Sequence, residues 1–221
     1  MISTTFDDGI AWLTMDDGKA NAVSFALLEA IAPELDRVEK EAKAVVIAGR
    51  PGCFSGGFDL KVINAGGDAV QRLMVGGARL ALRLLESKLP VVAACSGHAI
   101  AMGALLLCAA DTRIGVEGSF RIGLNETQIG AVLPPFALEL ARERLSKRHL
   151  QRAAIQAVLY DPAGAVDAGF LDTVVAPDEL AKAAREEATR LAALDANAYA
   201  GTKLALRAAQ IERIRSSLPT S

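Results

Sequence analysis

The sequence predicts an α/β fold built on a mostly parallel sheet. Three observations carry this. Compact β-branched runs of buried-strand type, 44–48 and 91–94, alternate with longer segments of helical period. A glycine-bearing or small-residue loop follows each run, so the unit strand, loop, helix occurs twice. The connections are short, and strands joined through helices in this way pair in parallel by crossover.

Taken in order, Ile10 to Met15 reads as a strand set between two Asp-Asp-Gly turns. From Ser24, an N-cap residue type, Leu28, Ile31, Leu35, Val38 and Ala42 recur at helical spacing. Ala44-Val-Val-Ile-Ala48 is the first buried strand, and Gly49 to Asp59 is a glycine-rich loop. Val70, Leu73, Met74, Leu80 and Leu84 mark a second helix, with Gly76-Gly77 inside it. Strand 91–94, a small-residue loop, an apolar helix near 103–109 and strand 112–116 follow. After Pro134-Pro135 the pattern turns helical, over 136–145, 147–160, 178–194 and 196–214, with a brief extended link at 172–175. The economical organisation is a single domain over 1–221, an α/β core to about residue 135 and a helical region from 136.

The composition narrows the function classes. With 52% hydrophobic and 23% charged residues the chain reads as globular. A formal net charge of -2 disfavours broad nucleic-acid binding. Cys53, Cys95 and Cys108 form no Cys-x-x-Cys pair, and His98 and His149 stand far apart, so no metal or disulfide framework is readable. The first residues carry aspartates where a signal peptide would place basic and apolar regions. The apolar stretch 99–110 falls short of the ~20 residues that span a bilayer. A soluble cytoplasmic protein with no membrane partner is expected.

Three segments offer chemistry. In Gly49-Arg-Pro-Gly-Cys-Phe-Ser-Gly-Gly-Phe-Asp-Leu-Lys61, Gly56-Gly57 permits unusual backbone and close ligand approach. An ordinary strand-to-helix connection is an equal reading. It is neither a phosphate-binding nor a dinucleotide loop. Ser96-Gly-His-Ala-Ile-Ala-Met-Gly-Ala-Leu105 follows the next strand. Two such loops side by side can aim backbone N–H groups at one oxyanion. In Ile122-Gly-Leu-Asn-Glu-Thr-Gln-Ile-Gly130, Glu126 stands among apolar and amide residues. Such surroundings raise a carboxyl pKa and suit proton transfer, although a surface glutamate or helix cap fits the composition as well.

Together these segments resemble the enoyl-CoA hydratase/isomerase (crotonase) family. Phe54-Ser-Gly-Gly-Phe-Asp-Leu-Lys61 resembles its first signature, Pro90 to Gly103 running on to Asp111-Thr-Arg the second, and Gly123 to Gly130 the third. Ala168-Gly-Phe-Leu-Asp-Thr-Val-Val175 is similar to the segment that follows. The resemblance implies the crotonase fold of repeated ββα units with a helical C-terminal part. It also implies an acyl-CoA thioester substrate, no cofactor beyond coenzyme A as part of that substrate, and a homotrimer or dimer of trimers. By the same resemblance, the amides of Phe58 and Met102 hold the thioester oxygen and Glu126 is the acid/base. Lys19, Ala20, Ala22, Gly57, Asp59, Leu60, Lys61, Gly103 and Leu105 match positions that line the substrate or its CoA.

Two departures refine the expectation. The family's hydratases carry a second glutamate two residues after the glycine matched by Gly103, and here that residue is Leu105. Leucine there, with Gly-Leu-Asn-Glu-Thr-Gln, is similar to the Δ3,Δ2-enoyl-CoA isomerases, whose reaction asks for one base where hydration uses two carboxylates. Hydratase activity, with Glu117 as a substitute acid, and a non-catalytic acyl-CoA-binding role are the alternatives. The chain also stops at Ser221, where crotonases continue with helices over the acyl pocket. A more open pocket, or closure by a neighbouring subunit, is therefore expected.

Competing chemistries are weaker. The segment 99–107 resembles the nucleophile region of ClpP-type proteases, but Ala101 stands where they use serine. Ser96 and His98 are merely close in sequence. Cys53 has no accompanying histidine and reads as a buried cysteine. His98 reads as a satisfied loop residue, and the C-terminal Arg and Lys residues as a solvated helix face.

Overall fold

A computed structural model describes residues 2–219; Ser221, on which the expectation of an open pocket rested, lies outside them. The chain opens with a hairpin of β1 (Ile2–Asp7) and β2 (Ile10–Met15), turned by Asp8 and Gly9, both at positive φ. Helix α1 (Phe25–Glu41) starts where Ser24 Oγ accepts from the Leu27 amide at 3.2 Å. Strands β3 (Ala44–Ala48) and β4 (Gly52–Ser55) lead to α2 (Leu60–Ala65) and α3 (Asp68–Glu86). Strands β5 (Val91–Cys95) and β6 (Gly97–Ile100) lead to α4 (Met102–Ala109), and β7 (Thr112–Val116) is followed by the two-residue β8 (Ile122–Gly123). The remainder is α5 (Pro135–Arg144), α6 (Lys147–Ala154), α7 (Pro162–Ala168), β9 (Thr173–Val175), α8 (Leu180–Ala192) and α9 (Ala196–Ser216).

Two sheets result. The larger runs β1-β2-β3-β5-β7-β9 and is parallel except for the β1–β2 hairpin. Its faces follow from side-chain alternation. Leu13, Met15, Val45, Ile47, Val91 and Ala93 point into the main core, whereas Ile10, Ala44, Val46, Val92 and Ala94 pack under α8. The smaller sheet is β4-β6-β8, all parallel.

This smaller sheet corrects the reading of the residues alone, which left 52–55 and 97–100 as loops, and bears out the ββα units that the resemblance implied. Each predicted strand, loop and helix is a ββα unit. Helix α3 runs unbroken through Gly76-Gly77, and the glycines make room. A Cβ at Gly76 would lie 2.5 Å from Leu28 of α1, and one at Gly77 2.5 Å from the Phe58 ring. The predicted helix 147–160 ends at Ala154, and α7 was not anticipated. Lys203 and Arg207 are not on a solvated face. Lys203 Nζ sits 2.7 Å and Arg207 Nη2 2.8 Å from the Asp111 carboxylate, with Lys203 buried. They tie α9 to the loop after α4. Among the described residues, no helix is long and apolar enough to cross a membrane.

Candidate active site

The three parallel strands of the small sheet end at the same side, so the loops after them are neighbours by topology. Phe58 comes three residues after β4, Met102 two residues after β6 and Glu126 three residues after β8. Site residues scattered over the sequence thus converge at the carboxyl ends of the strands, where ligands of open α/β sheets bind.

Tight backbone packing joins the first two loops. Gly57 has φ +94, and a Cβ there would meet Ile100 O at 2.9 Å, Ala101 Cβ at 3.0 Å and Met102 N at 3.4 Å. A Cβ at Gly103 would meet Ser55 O at 2.2 Å. Ala101 takes φ +51 and ψ -121 without being glycine, a strained conformation of the kind concentrated at functional sites. That turn starts α4 and leaves the Met102 amide outside the helix ladder.

The Phe58 amide is freed differently. Val23 N donates to Gly57 O at 2.7 Å and Asp59 N donates to Val23 O at 3.1 Å, so residue 58 pairs on either side of its own N–H. Among the described residues, neither the Phe58 nor the Met102 amide donates to an acceptor. Two unspent N–H groups on abutting loops leave two donors free at one place in the fold. Their backing is rigid, since the half-buried Phe58 ring lies over Gly77 with the Met102 methyl near the same point.

Glu126 heads the 3-10 turn Thr127–Ile129. One carboxyl oxygen, Oε2, is buried and has no hydrogen-bond partner. Burial pushes its pKa above 4.5, against the partial relief given by the backbone of Glu126 and Asn125. An unpaired buried carboxyl oxygen costs free energy that ordinary packing would have avoided, which sets this residue apart from a surface glutamate or a cap. A backbone bond from Ala101 N to Gly123 O, 2.9 Å, fixes the Glu126 segment beside the Met102 turn.

The N-terminal loop completes the site's edge. Gly56 N donates to Ala20 O at 2.7 Å, and Ser55 Oγ donates to Asn21 O at 2.8 Å. Asn21 is buried at φ +48, and its Nδ2 reaches Met15 O, Cys53 O and Phe54 O at 2.8, 3.2 and 3.3 Å. Asp17 accepts the Lys19 and Asn21 amides at 2.7 and 2.9 Å. Sequence reasoning named the neighbours of Asn21 but not Asn21 itself; the available signal was the Asp17–Asn21 pair in a turn. Asp59 caps α2 by accepting from Lys61 N at 2.9 Å. Lys19, Ala20, Leu60 and Lys61 are exposed and Ala22 and Asp59 half-buried, forming a rim. Among the described residues, neither Lys19 nor Lys61 forms an ion pair.

Leu105 stands one turn beyond Met102 on α4, at 1% exposure. Glu117 is exposed at the end of β7, in the other sheet, its amide donating to Val175 O at 2.9 Å. His98 lies on β6, exposed, its Nδ1 accepting from Arg121 N at 3.0 Å. Ser96 Oγ donates to Arg50 O at 2.8 Å. Cys53 is buried with its thiol pKa raised, chiefly by burial.

Comparison with known proteins identifies the family. The family model "Enoyl-CoA hydratase/isomerase" matches residues 5–217. The chain is 28% identical over 211 residues to human mitochondrial enoyl-CoA delta isomerase 1, covering 93% of this chain and 70% of the human one. It is 33% identical over 140 residues to a probable enoyl-CoA hydratase of Bacillus subtilis, covering 62% of this chain and 54% of that protein. The crystal structure of an enoyl-CoA hydratase/isomerase family protein from Pseudomonas syringae superposes with a TM-score of 0.96 at 44% identity, over 98% of this chain and 94% of that one. That fold, with its paired ββα units, is the crotonase fold. The chain belongs to the enoyl-CoA hydratase/isomerase family.

Proposed function

We propose that the protein moves a double bond in an enoyl-CoA, converting a 3-enoyl to a 2-enoyl thioester. The amides of Phe58 and Met102 donate to the thioester carbonyl oxygen as it gains charge, which makes the C2 proton acidic. Glu126, ionised, takes that proton, leaving a dienolate, and returns it to C4. The observation that carries this reading is the buried, unpartnered Oε2 of Glu126, whose pKa burial raises. A base of raised pKa both takes and returns a proton readily near neutral pH.

Leu105 favours isomerisation over hydration. It is apolar and fully buried where a hydratase of this family carries its second carboxylate, so nothing at that position orients a water. The likeness to the B. subtilis probable hydratase keeps hydration as the second reading. Lys19 and Lys61, exposed beside the loop, are the cations that meet the CoA phosphates, and coenzyme A enters only as part of the substrate. Assembly as a trimer or dimer of trimers belongs to the same proposal, supported by Ile129, Val132 and Ile155, exposed at 56, 87 and 66% on the Glu126 side.

The test is Glu126→Gln. Turnover of a 3-enoyl-CoA is expected to fall by about 10²–10⁴-fold, the usual worth of a general acid/base, with acyl-CoA binding within a few-fold. Undiminished turnover would remove Glu126 from the chemistry. A wild-type protein that binds acyl-CoA and turns over neither isomer would favour a binding role alone.

A further inference from the structure

The chain's second histidine has no part in this chemistry, yet it sits in a chain of hydrogen bonds that ends at the Glu126 segment. His149 lies on α6 and is 6% exposed. Its Nδ1 is 3.1 Å from Tyr160 Oη and its Nε2 is 3.0 Å from Asp167 Oδ2 on α7. The neutral imidazole satisfies both neighbours at once. With its proton on Nε2 the ring donates to Asp167 and accepts from the Tyr160 hydroxyl at Nδ1. Arg148 Nη2 holds the Asp167 carboxylate at 2.6 and 2.7 Å.

Tyr160 is also the residue to which the Glu126 strand is tied. It exchanges both backbone hydrogen bonds with Ile122, each 2.9 Å, and Ile122 opens β8 four positions before Glu126. On the other side of Glu126, Thr127 Oγ1 donates to Ile155 O at 3.0 Å. Both anchors belong to the segment 155–160, which has no regular structure and includes Ala157 at φ +51. The approach is close. A Cβ at Gly123 would stand 3.1 Å from Val158 O. Glu126 is therefore bracketed by a strap whose far end is fixed by the Tyr160 hydroxyl.

We infer that Asp167, His149 and Tyr160 are positioning residues for Glu126: the chain of hydrogen bonds fixes the 155–160 strap, and the strap fixes the carboxylate and keeps water from it. An apolar filling of the space around His149 would serve packing equally well, since buried polar groups contribute little net stability over apolar isosteres. What a fully satisfied polar chain adds is a single geometry. The inference rests on Glu126 being the acid/base, so its test has one readout that depends on catalysis and one that does not.

Tyr160→Phe removes only the hydroxyl and leaves the ring against Phe170 and the backbone pair with Ile122. Hydrogen exchange of the Ala131 amide, which donates to Glu126 O, should quicken by about three- to tenfold, the worth of one buried hydrogen bond. In the same variant kcat should fall by a similar factor with KM unchanged, and the acid limb of kcat/KM should move toward the ordinary glutamate value as water reaches Glu126. His149→Phe should match it, the double variant should be no worse than either, and Asp167→Asn, which keeps an acceptor for Nε2–H, should stay near wild type. Unchanged Ala131 exchange in Tyr160→Phe overturns the inference whatever the activity. If Glu126→Gln is inactive while Tyr160→Phe keeps the wild-type kcat and acid limb, the relay fails and the Glu126 reading stands. If Glu126→Gln is active but exchange quickens, the strap is confirmed and the catalytic reading is what fails.

Discussion

Replacing Gly57 by alanine tests whether the abutting loops carry the catalytic donors. Alanine at φ +94 bears a left-handed backbone penalty of roughly 1–2 kcal/mol. Its methyl would also arrive 2.9 Å from Ile100 O and 3.0 Å from Ala101 Cβ. Ordinary contacts need roughly 3.5 Å, so the loops must part by about half an ångström, at a further cost of about 1–3 kcal/mol. Gly57 cannot slide away, because its oxygen accepts from Val23 N at 2.7 Å and its amide from 3.3 Å donates to Ser55 Oγ. A thermal midpoint about 5–15 °C lower is expected for a chain of this size, leaving the protein folded at 25 °C. Donors to an oxyanion work over about 2.7–3.1 Å, and misplacing one lowers kcat by about 10²-fold. The control is Gly66→Ala, at φ +71 with nothing within 4 Å of the new methyl. It carries the backbone penalty alone and should melt earlier with kcat intact. Circular-dichroism melts and initial rates on an enoyl-CoA make the comparison. A Gly57→Ala protein with wild-type kcat would refute the placement of the Phe58 and Met102 donors.

Three further perturbations follow from the same structure. Asn21→Ala withdraws three bonds to the Met15, Cys53 and Phe54 carbonyls and should destabilise by about 2–4 kcal/mol in chemical denaturation, with activity lost alongside; a loss under about 0.5 kcal/mol would contradict that role. Because burial raises the Glu126 pKa, the folded form holds the proton more tightly. Stability from this group is present below the unfolded value and lost as pH rises through the folded one, so Glu126→Gln should gain stability relative to wild type as pH rises above 4.5. For the same reason kcat/KM should fall on acidification at a pH above 4.5. Burial lifts the thiols of Cys95 and Cys108 to about 12 and about 11 and raises that of Cys53, so a thiol reagent at pH 8 should react with the native protein far more slowly than with the unfolded chain.

The inner strands of the large sheet were legible in sequence because they are buried apolar runs bounded by turns, whereas β1, alternately half-buried and exposed, passed unnoticed. Predicted strands 10–15, 44–48 and 112–116 coincide with β2, β3 and β7. The small sheet was not. Strands β4 and β6 have four residues each and β8 two, contain glycine, and take their pairing from partners tens of residues away. No local period reports such pairing. Glu126 was visible as a carboxylate without a cationic neighbour, and the fold adds the burial that distinguishes it from a cap. Lys203 was misread because helical spacing shows the face it occupies but not Asp111 across from it. His149 looked isolated for the same reason, since its partners lie 11 and 18 positions further on.

The central claim is that one carboxylate, Glu126, with its Oε2 buried and unpartnered, performs proton transfer at carbon and not addition of water. The direct measurement is the ratio of isomerisation of a 3-enoyl-CoA to hydration of the 2-enoyl-CoA of the same chain length, on one preparation of the wild-type protein. Isomerisation should be the faster, and Leu105→Glu should raise hydration relative to it wherever the fold tolerates the buried charge. Efficient hydration by the wild-type protein with little isomerisation would contradict the account, because it would require a second acid that Leu105 cannot supply.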